Sequence, residues 1–435
     1  MLDTLSIEKN ERGTKVKKVI RSALIFLLLS ITVSTVYTEG EKEKEAVGIK
    51  LALILGAGGR GDLGWNDLAW RGAEMAKERG YVRDYSLMVS SSGEILSLLN
   101  SLASSGEYDL ILSNGWAYVR ALGQVANQFP DQNFAQMDTR PDIEPGSPAD
   151  KNVLGIVFNQ EQMSALAGAL AAFTAVYHDF PHVGVVLGTE GAILHDFEIG
   201  YKWGMDWGLK WLENNMPDLL KDKKIVQTPR TERVLWTYTG TFDDPAKGKA
   251  AAQIQIDKGA GIIYQAAGGT GLGVFTAVED YHKENNIPFT KPPFAIGVDA
   301  DQDWINPYIL ASGMKRVDIA VLETCRLVNE GKFRQMVSEN KGLLSMNLKN
   351  NGVYLSDEKM LEEFLDFGIK TGAIKEEKVS EIVKNYRELR NSLPDWFWKA
   401  IGELESLIKD GKVEVPSPFS NPQKYNIRDL RRIYG

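Results

Sequence analysis

The first apolar run after the N-terminal segment is Leu51-Ala52-Leu53-Ile54-Leu55, and an amphipathic stretch at residues 67–79 follows it. A second apolar run (86–89) and a second amphipathic stretch (93–104) come next. Short continuous apolar runs are typical of strands buried on both faces, and the stretches between them have helical spacing. Strands that alternate with helices predict a parallel sheet covered on both faces, and therefore an α/β fold.

The same alternation continues along the chain and then begins a second time. After a predicted helix at 160–177, new apolar runs occupy 183–187, 235–239, 261–264 and 294–298. We therefore predict two α/β lobes, each with a parallel sheet, that follow one another along the chain.

Charged helical segments dominate the sequence beyond residue 356 and predict an appended helical region at 357–416. Its aromatic cluster, Trp396-Phe397-Trp398, is expected to pack against a lobe, because exposed apolar patches of that size are uncommon. Residues 417–435 are interpreted as a mobile tail.

The composition excludes several classes of protein. With 435 residues, of which 43% are hydrophobic and 25% charged, the chain matches folded soluble proteins of two or three domains. A net charge of −8 argues against a nucleic-acid partner, which requires clustered basic residues. The single cysteine, Cys325, excludes internal disulfides and multi-cysteine zinc sites. We predict no metal site, because Pro181 breaks the helix that would align His178 with His182.

The N-terminal segment carries the first functional information. Basic residues Lys15, Lys17, Lys18 and Arg21 precede an uncharged run at 22–38, the order found in export signals. Residues 1–48 are therefore predicted to be an export signal or membrane anchor followed by a charged linker, which places the protein at the outer face of the cell membrane. No cysteine lies close after the run, so we expect no lipid on an N-terminal cysteine. Cleavage of the signal and retention as an anchor both remain open.

Ligands of parallel α/β sheets bind beyond the carboxyl ends of the strands, so the loop after Leu55 is a candidate site. Its residues 56–61 (GAGGRG) match the glycine pattern of dinucleotide-binding loops. The second strand ends without the acidic residue that would bind a cofactor ribose, so a dehydrogenase is a minor alternative and no cofactor is predicted. The loop continues with Asp62, Trp65 and Asn66, a carboxylate, a large ring and an amide that can hold a heterocycle.

Residues 61–67 (GDLGWND) resemble the Gly-Asp-x-x-Phe-Asn-Asp loop of the basic membrane protein family of ABC-transporter solute receptors. Further blocks that are similar to this family follow in its usual order: 134–138 (FAQMD), 241–248 (TFDDPAKG), 266–271 (AAGGTG), 297–302 (GVDADQ), 312–316 (SGMKR) and 409–416 (KDGKVEVP). The resemblance covers about residues 50–416, with an apparent helical insertion at about 357–400. It implies a type I periplasmic-binding-protein fold, in which two doubly wound parallel-sheet lobes are joined by a hinge. The N-terminal lobe would comprise 49–157 with 312–340, and the C-terminal lobe would comprise 158–311 with 341–356. The resemblance also implies a purine nucleoside as ligand and an ABC permease as partner.

The resemblance also implies roles for individual residues. Trp65 and Phe197 would stack on opposite faces of the base, and such stacking contributes about 1–3 kcal/mol per base. Asp62, Asn66 and Asp138 would meet polar edges of the ligand. The remaining implied site residues are Asp299 and Lys315 at the ribose hydroxyls, Gly268 and Gly269 at a close backbone approach, and Trp116, which like Trp65 stands where the family usually has Phe.

Two alternatives of other classes remain open at the level of the sequence. A nucleoside-processing hydrolase would fit the same pocket chemistry, although no nucleophile-elbow pattern is present. A ligand sensor that signals to a membrane partner would share the fold and the site. The receptor interpretation requires no catalysis, only closure of the two lobes around the ligand.

Overall fold

The computed structural model describes residues 48–56, 58–90 and 93–435, so most of the predicted export segment lies outside the described residues. In chain order the strands and helices begin with β1 (Ile49–Leu55), α1 (Trp65–Glu78), β2 (Val82–Val89), α2 (Ile95–Ser105), β3 (Leu110–Ser113), α3 (Val119–Gln128), β4 (Asn133–Met137), β5 (Val153–Phe158), α4 (Gln160–His178), β6 (His182–Leu187), α5 (Ala192–Asn215), α6 (Lys224–Gln227) and β7 (Val234–Tyr238). They continue with α7 (Pro245–Asp257), β8 (Ala260–Ala266), α8 (Leu272–Asn285), β9 (Phe294–Asp299), β10 (Ile309–Lys315), α9 (Val317–Asn329), α10 (Phe333–Glu339), β11 (Leu343–Met346), β12 (Val353–Leu355), α11 (Glu358–Lys370), α12 (Val379–Asn391), α13 (Trp396–Lys409) and α14 (Ile427–Tyr434).

The strands form two sheets with the same spatial plan. The first sheet has the order β2-β1-β3-β4-β5-β11, and its strands are all parallel. The second has the order β7-β6-β8-β9-β10-β12, in which only β12 runs antiparallel to its neighbour. Helices alternate with the strands, so the prediction of an α/β protein with two doubly wound lobes is confirmed. In each sheet the strand order reverses beside the first strand, which is where ligands of such sheets bind.

The chain exchanges segments between the lobes near their junction. Strand β10 belongs to the second sheet, but the following helix α9 packs on α1 of the first lobe, where Asp318 forms a buried ion pair with Arg71. Strand β11 then pairs with β5 in the first sheet, and β12 returns to the second. The predicted lobe boundaries at 312 and 341 therefore do not coincide with the sheets: 312–315 remain in the second and 343–346 join the first. Sheet membership of such short apolar strands is decided by distant partners rather than by local sequence.

Helices α4 and α5 pack on each other in the second lobe, and their glycines allow the close approach. A Cβ added at Gly204 would lie 2.0 Å from the carbonyl oxygen of Ala165, and one at Gly168 would lie 2.0 Å from that of Tyr201. Neither distance is sterically possible, so these positions require glycine. The close packing fixes the first turns of α5, which carry Phe197.

The predicted helical region consists of α11, α12 and α13. Phe397 on α13 is fully buried and makes an edge contact with Phe173 of α4 at a centroid distance of 5.7 Å. The expectation that this aromatic cluster packs on a lobe is confirmed.

The interpretation of residues 417–435 as a mobile tail was wrong. The Oγ of Ser417 and the amide of Phe419 donate to the buried Asp196 carboxylate at 2.7 and 3.0 Å, and Arg431 on α14 pairs with buried Glu198. Both carboxylates lie on α5. Local sequence patterns do not reveal these contacts, because their partners are more than 200 residues away.

Candidate ligand-binding site

The carboxyl ends of the two sheets face one another, and contacts cross between the lobes at this edge. The ammonium of Lys315, at the end of β10, donates to the Asp138 carboxylate, which follows β4 of the first lobe. The side-chain amide of Gln302, in the second lobe, donates to the carbonyl oxygen of Leu63 at 3.1 Å. The lobes are thus in contact around a shared site.

The loop after β1 is held by its own polar side chains. The Asp62 carboxylate accepts hydrogen bonds from the backbone amides of Gly64, Asn66 and Asp67 at 2.8–3.2 Å, so it stabilises the start of α1. Burial raises the pKa of Asp62, and these three donors oppose that effect. The Asp67 carboxylate accepts hydrogen bonds from the amides of Gly61 and Leu63, which precede α1.

Asn66 connects the ends of two strands in the first lobe. Its Oδ1 accepts from the amide of Gly56, after β1, at 2.8 Å and from the side chain of Asn114, after β3, at 3.3 Å. The indole of Trp65 donates to the carbonyl of the same Asn114 at 3.2 Å. These bonds orient the Trp65 ring at the point where the strand order reverses.

Aromatic rings from both lobes surround the Lys315 ammonium. Its Nζ lies 4.5 Å from the ring centroid of Trp65, 4.8 Å from that of Phe158 and 5.6 Å from that of Phe197. Trp65 and Phe158 belong to the first lobe, and Phe197 belongs to α5 of the second. The structure thus brings together the two rings singled out from the sequence and adds Phe158. In the sequence, the one feature that could have indicated Phe158 is its position as the last residue of a buried strand.

Two of the site carboxylates lie on strained backbone. Asp138 has φ of +71° and Asp299 has φ of +64°, in the left-handed region that residues other than glycine rarely adopt. Leu63, whose carbonyl accepts the bond from Gln302, has φ of +48°. Such strain concentrates at functional sites, where the surrounding structure holds a side chain in a required direction.

Electrostatic interactions connect Asp299 with the other charged groups of the site. Burial raises the pKa of Asp299 to about 7; the Lys315 charge lowers it, and the carboxylates of Asp138 and Asp62 raise it further. The charge of the site therefore comes from three carboxylates and one ammonium. A site of this charge favours ligands that donate hydrogen bonds and disfavours anionic ligands.

The other predicted site residues lie in different surroundings. Gly268 and Gly269 begin a 3₁₀ turn after β8, and a Cβ added at either would lie 3.2–3.4 Å from the carbonyl oxygen of Phe242. Trp116 stands on the 3₁₀ turn after β3 and is 55% exposed. The glycines thus approach a neighbouring backbone closely, whereas more than half of Trp116 is exposed to solvent.

The fold and this site define a class of protein, the solute-binding proteins of ABC transporters. A crystal structure of such a protein from Aeropyrum pernix matches with a TM-score of 0.73 and 31% sequence identity, covering 88% of this chain and 98% of that one.

The chain belongs to the Bmp family. The family profile, described as "ABC transporter substrate-binding protein PnrA-like", matches residues 49–206 and 228–386. An uncharacterized lipoprotein of Pyrococcus abyssi is 32% identical over 94% of this chain and 95% of its own length. The protein named ABC transporter nucleoside-binding protein BmpA of Lactococcus lactis is 26% identical over 75% of this chain and 87% of its own length. The protein is thus an ABC transporter substrate-binding protein, and the family suggested by the sequence blocks is confirmed.

Proposed function

We propose that this protein binds a nucleoside and delivers it to an ABC permease at the outer face of the membrane. Different side chains of the site would contact the base and the ribose. The observation that carries the proposal is the group around Lys315. One ammonium lies within 6 Å of rings from both lobes and is paired with Asp138. A flat ring bound here would have an aromatic side chain on each of its two faces only when both lobes enclose it.

The aromatic part of the site suits a nucleobase. Trp65 and Phe197 come from opposite lobes, and every base has two faces on which such rings stack. Phe158 packs edge-on against Trp65, with ring centroids 6.4 Å apart and an interplanar angle of 68°. The name of the Lactococcus lactis relative, a nucleoside-binding protein, agrees with this assignment.

The carboxylates suit a sugar diol rather than a phosphate. An ionised carboxylate such as Asp299 accepts two hydrogen bonds at once, and charge-assisted bonds are stronger than neutral ones. A phosphate would be repelled by the three site carboxylates and attracted by Lys315 alone. We therefore propose a nucleoside, not a nucleotide, as the ligand.

Calorimetric titration of the purified protein with nucleosides, free bases and sugars tests the assignment. The expected order is tightest binding for a nucleoside, weaker binding for its base and weakest binding for ribose. Tighter binding of an unrelated sugar than of any nucleoside would contradict the proposal. Recovery of unchanged nucleoside after incubation is expected of a receptor, whereas release of free base would indicate the hydrolase alternative.

The proposed location rests on the basic segment and apolar run before residue 39. The Pyrococcus abyssi relative is named a lipoprotein, whereas here the only cysteine, Cys325, is buried in α9. Within the described residues, none of the helices has the length and apolar character needed to span a bilayer. Fractionation of cells is expected to place the protein outside the cytoplasm, and recovery entirely from the cytoplasm would contradict the proposed location.

A further inference from the structure

The segment after Asp299 carries a contact that joins the two lobes. Gln302 is almost fully buried, and its side-chain amide donates to the Leu63 carbonyl of the first lobe. The Oε1 of Gln302 accepts from the Val298 amide at 2.9 Å and from Gln265 at 2.7 Å, so the side chain has little freedom. We call Gln302 and the Leu63 carbonyl the clasp.

A buried carboxylate fixes the backbone next to the clasp. The amide of Gln302 donates to Ser312 Oγ at 3.0 Å, and that hydroxyl donates to Asp303 at 2.6 Å. Ser356 Oγ donates to the other oxygen of Asp303 at 2.8 Å. Asp303 is thus the centre of a network that sets the course of residues 299–303, including the direction of Asp299.

Arg390, on α12 of the C-terminal helical region, completes this network. Its guanidinium donates to the carbonyl of Ser356 at 2.9 Å, to that of Leu310 at 3.3 Å and to Asp303 at 3.4 Å. The guanidinium also lies 4.5 Å from the ring centroid of Tyr386 and 4.6 Å from that of Trp398, so it packs against two aromatic rings. Burying either charge without the other would cost free energy, so Arg390 and Asp303 depend on each other.

We propose that the C-terminal helical region controls closure of the site, with Arg390 as the positioning residue. Arg390 holds Asp303, Asp303 holds the segment 299–303, and this segment both aims Asp299 and supports the clasp. The consequence for ligand binding rests on the function proposed above, whereas the ordering of the segment by Arg390 does not. Loss of Arg390 should therefore loosen the segment and shorten the lifetime of the closed complex.

The test compares Arg390→Gln with Arg387→Gln, a change on the same helix in an exposed residue that pairs with Glu358. Hydrogen–deuterium exchange is followed without ligand in peptides that cover 299–305 and, as an internal reference, in peptides that cover β1. Arg390→Gln should accelerate exchange at 299–305 on the order of tenfold, the loss expected for hydrogen bonds to a charged group, and leave β1 unchanged. Arg387→Gln should change neither.

The same variants are then compared for nucleoside dissociation by stopped flow. Arg390→Gln should dissociate several-fold faster with little change in the association rate, because the clasp acts after the lobes have met. Arg390→Lys serves if the first variant does not fold. It keeps the charge but cannot reach all three acceptors, so intermediate effects are expected.

Unchanged exchange at 299–305 in both Arg390 variants, or equal effects of the Arg387 control, would overturn the proposal. So would faster exchange throughout the chain, which would assign Arg390 a general role in stability. If the wild type binds no nucleoside but the segment still loosens in Arg390→Gln, the proposed function fails and the positioning role of Arg390 stands.

Discussion

Replacing Asp299 by Asn should stabilise the ligand-free protein and weaken its binding of a nucleoside. Asn is the least disruptive choice, because it keeps the size of the side chain and tolerates the left-handed backbone at this residue. Burial raises the pKa of Asp299 from 3.8 in an open chain to about 7 in the fold. The folded protein therefore holds this proton more tightly than the unfolded chain. Wild-type stability must fall as the pH rises between these two values, and the variant lacks that loss.

The magnitudes follow from the same numbers. One pKa unit corresponds to about 1.4 kcal/mol, so the gain in stability of the variant grows from near zero at pH 4 to at most ~4 kcal/mol above pH 7. For the ligand, loss of a charge-assisted hydrogen bond costs about 1.5–3 kcal/mol, which is at least a tenfold loss of nucleoside affinity. The free base has no diol and should bind both proteins almost equally. Below pH 7, wild-type affinity should also fall by up to about tenfold per pH unit, because ligand binding then requires loss of the proton.

Calorimetric melting between pH 4 and pH 8 measures the first effect, and titration with a nucleoside and its base measures the second. Asp366→Asn, which removes an exposed carboxylate from α11, is the matched control and should change neither. Equal nucleoside affinity of wild type and Asp299→Asn would show that Asp299 does not bind the ligand. A variant that melts lower at every pH would refute the argument that burial disfavours the ionised carboxylate.

Three further perturbations test the ring, the charge of the site and the packing below it. Trp65→Leu should remove most of the change in tryptophan fluorescence on ligand binding and weaken affinity by about tenfold. The control Trp236→Leu, on β7, should keep both the fluorescence change and the affinity. Full signal and affinity in Trp65→Leu would show that Trp65 is a packing residue. A nucleoside 5′-monophosphate should bind at least about tenfold more weakly than its nucleoside by titration, and equal affinity would refute the proposed repulsion. Gly204→Ala should lower the melting temperature, with a loss of about 1–3 kcal/mol from the clash with Ala165. Gly402→Ala, in open space on α13, should leave stability unchanged or raise it slightly, and a similar loss in both would contradict the packing argument.

The α/β fold and the two lobes could be predicted because each strand is a local apolar run bounded by helical stretches. The exact lobe boundaries could not, since β10 and β11 look alike in sequence and only their pairing with β9 and β5 assigns them to a sheet. The docked tail had the same difficulty, because its contacts depend on buried carboxylates of α5. Local patterns thus determine the elements, and distant pairings determine where the ends of the chain lie.

At the site, residues immediately after strands were predictable because parallel strands present their carboxyl ends at one edge. Asp138, directly after β4, is such a position, whereas Lys315, the last residue of β10, was suggested only by the family resemblance. The two side chains form an ion pair between the two sheets. Gln302 was missed, since a glutamine in a loop has no local signature and its importance comes from a carbonyl more than 200 residues away. The roles of Asp62 and Asp67 also could not be separated, because either carboxylate can accept from the amides of a helix start.

The interchange of strands between the lobes has a consequence for the biosynthesis of the protein. Strand β5 of the first sheet keeps an open edge until β11 has been made, and by then five strands of the second sheet have already left the ribosome. An unpaired edge is a site for wrong pairing, and long-range parallel pairing is slow. A nascent chain with this connectivity cannot complete its first sheet until residues 343–346 have been synthesised, so the first lobe is completed only after most of the second has been made.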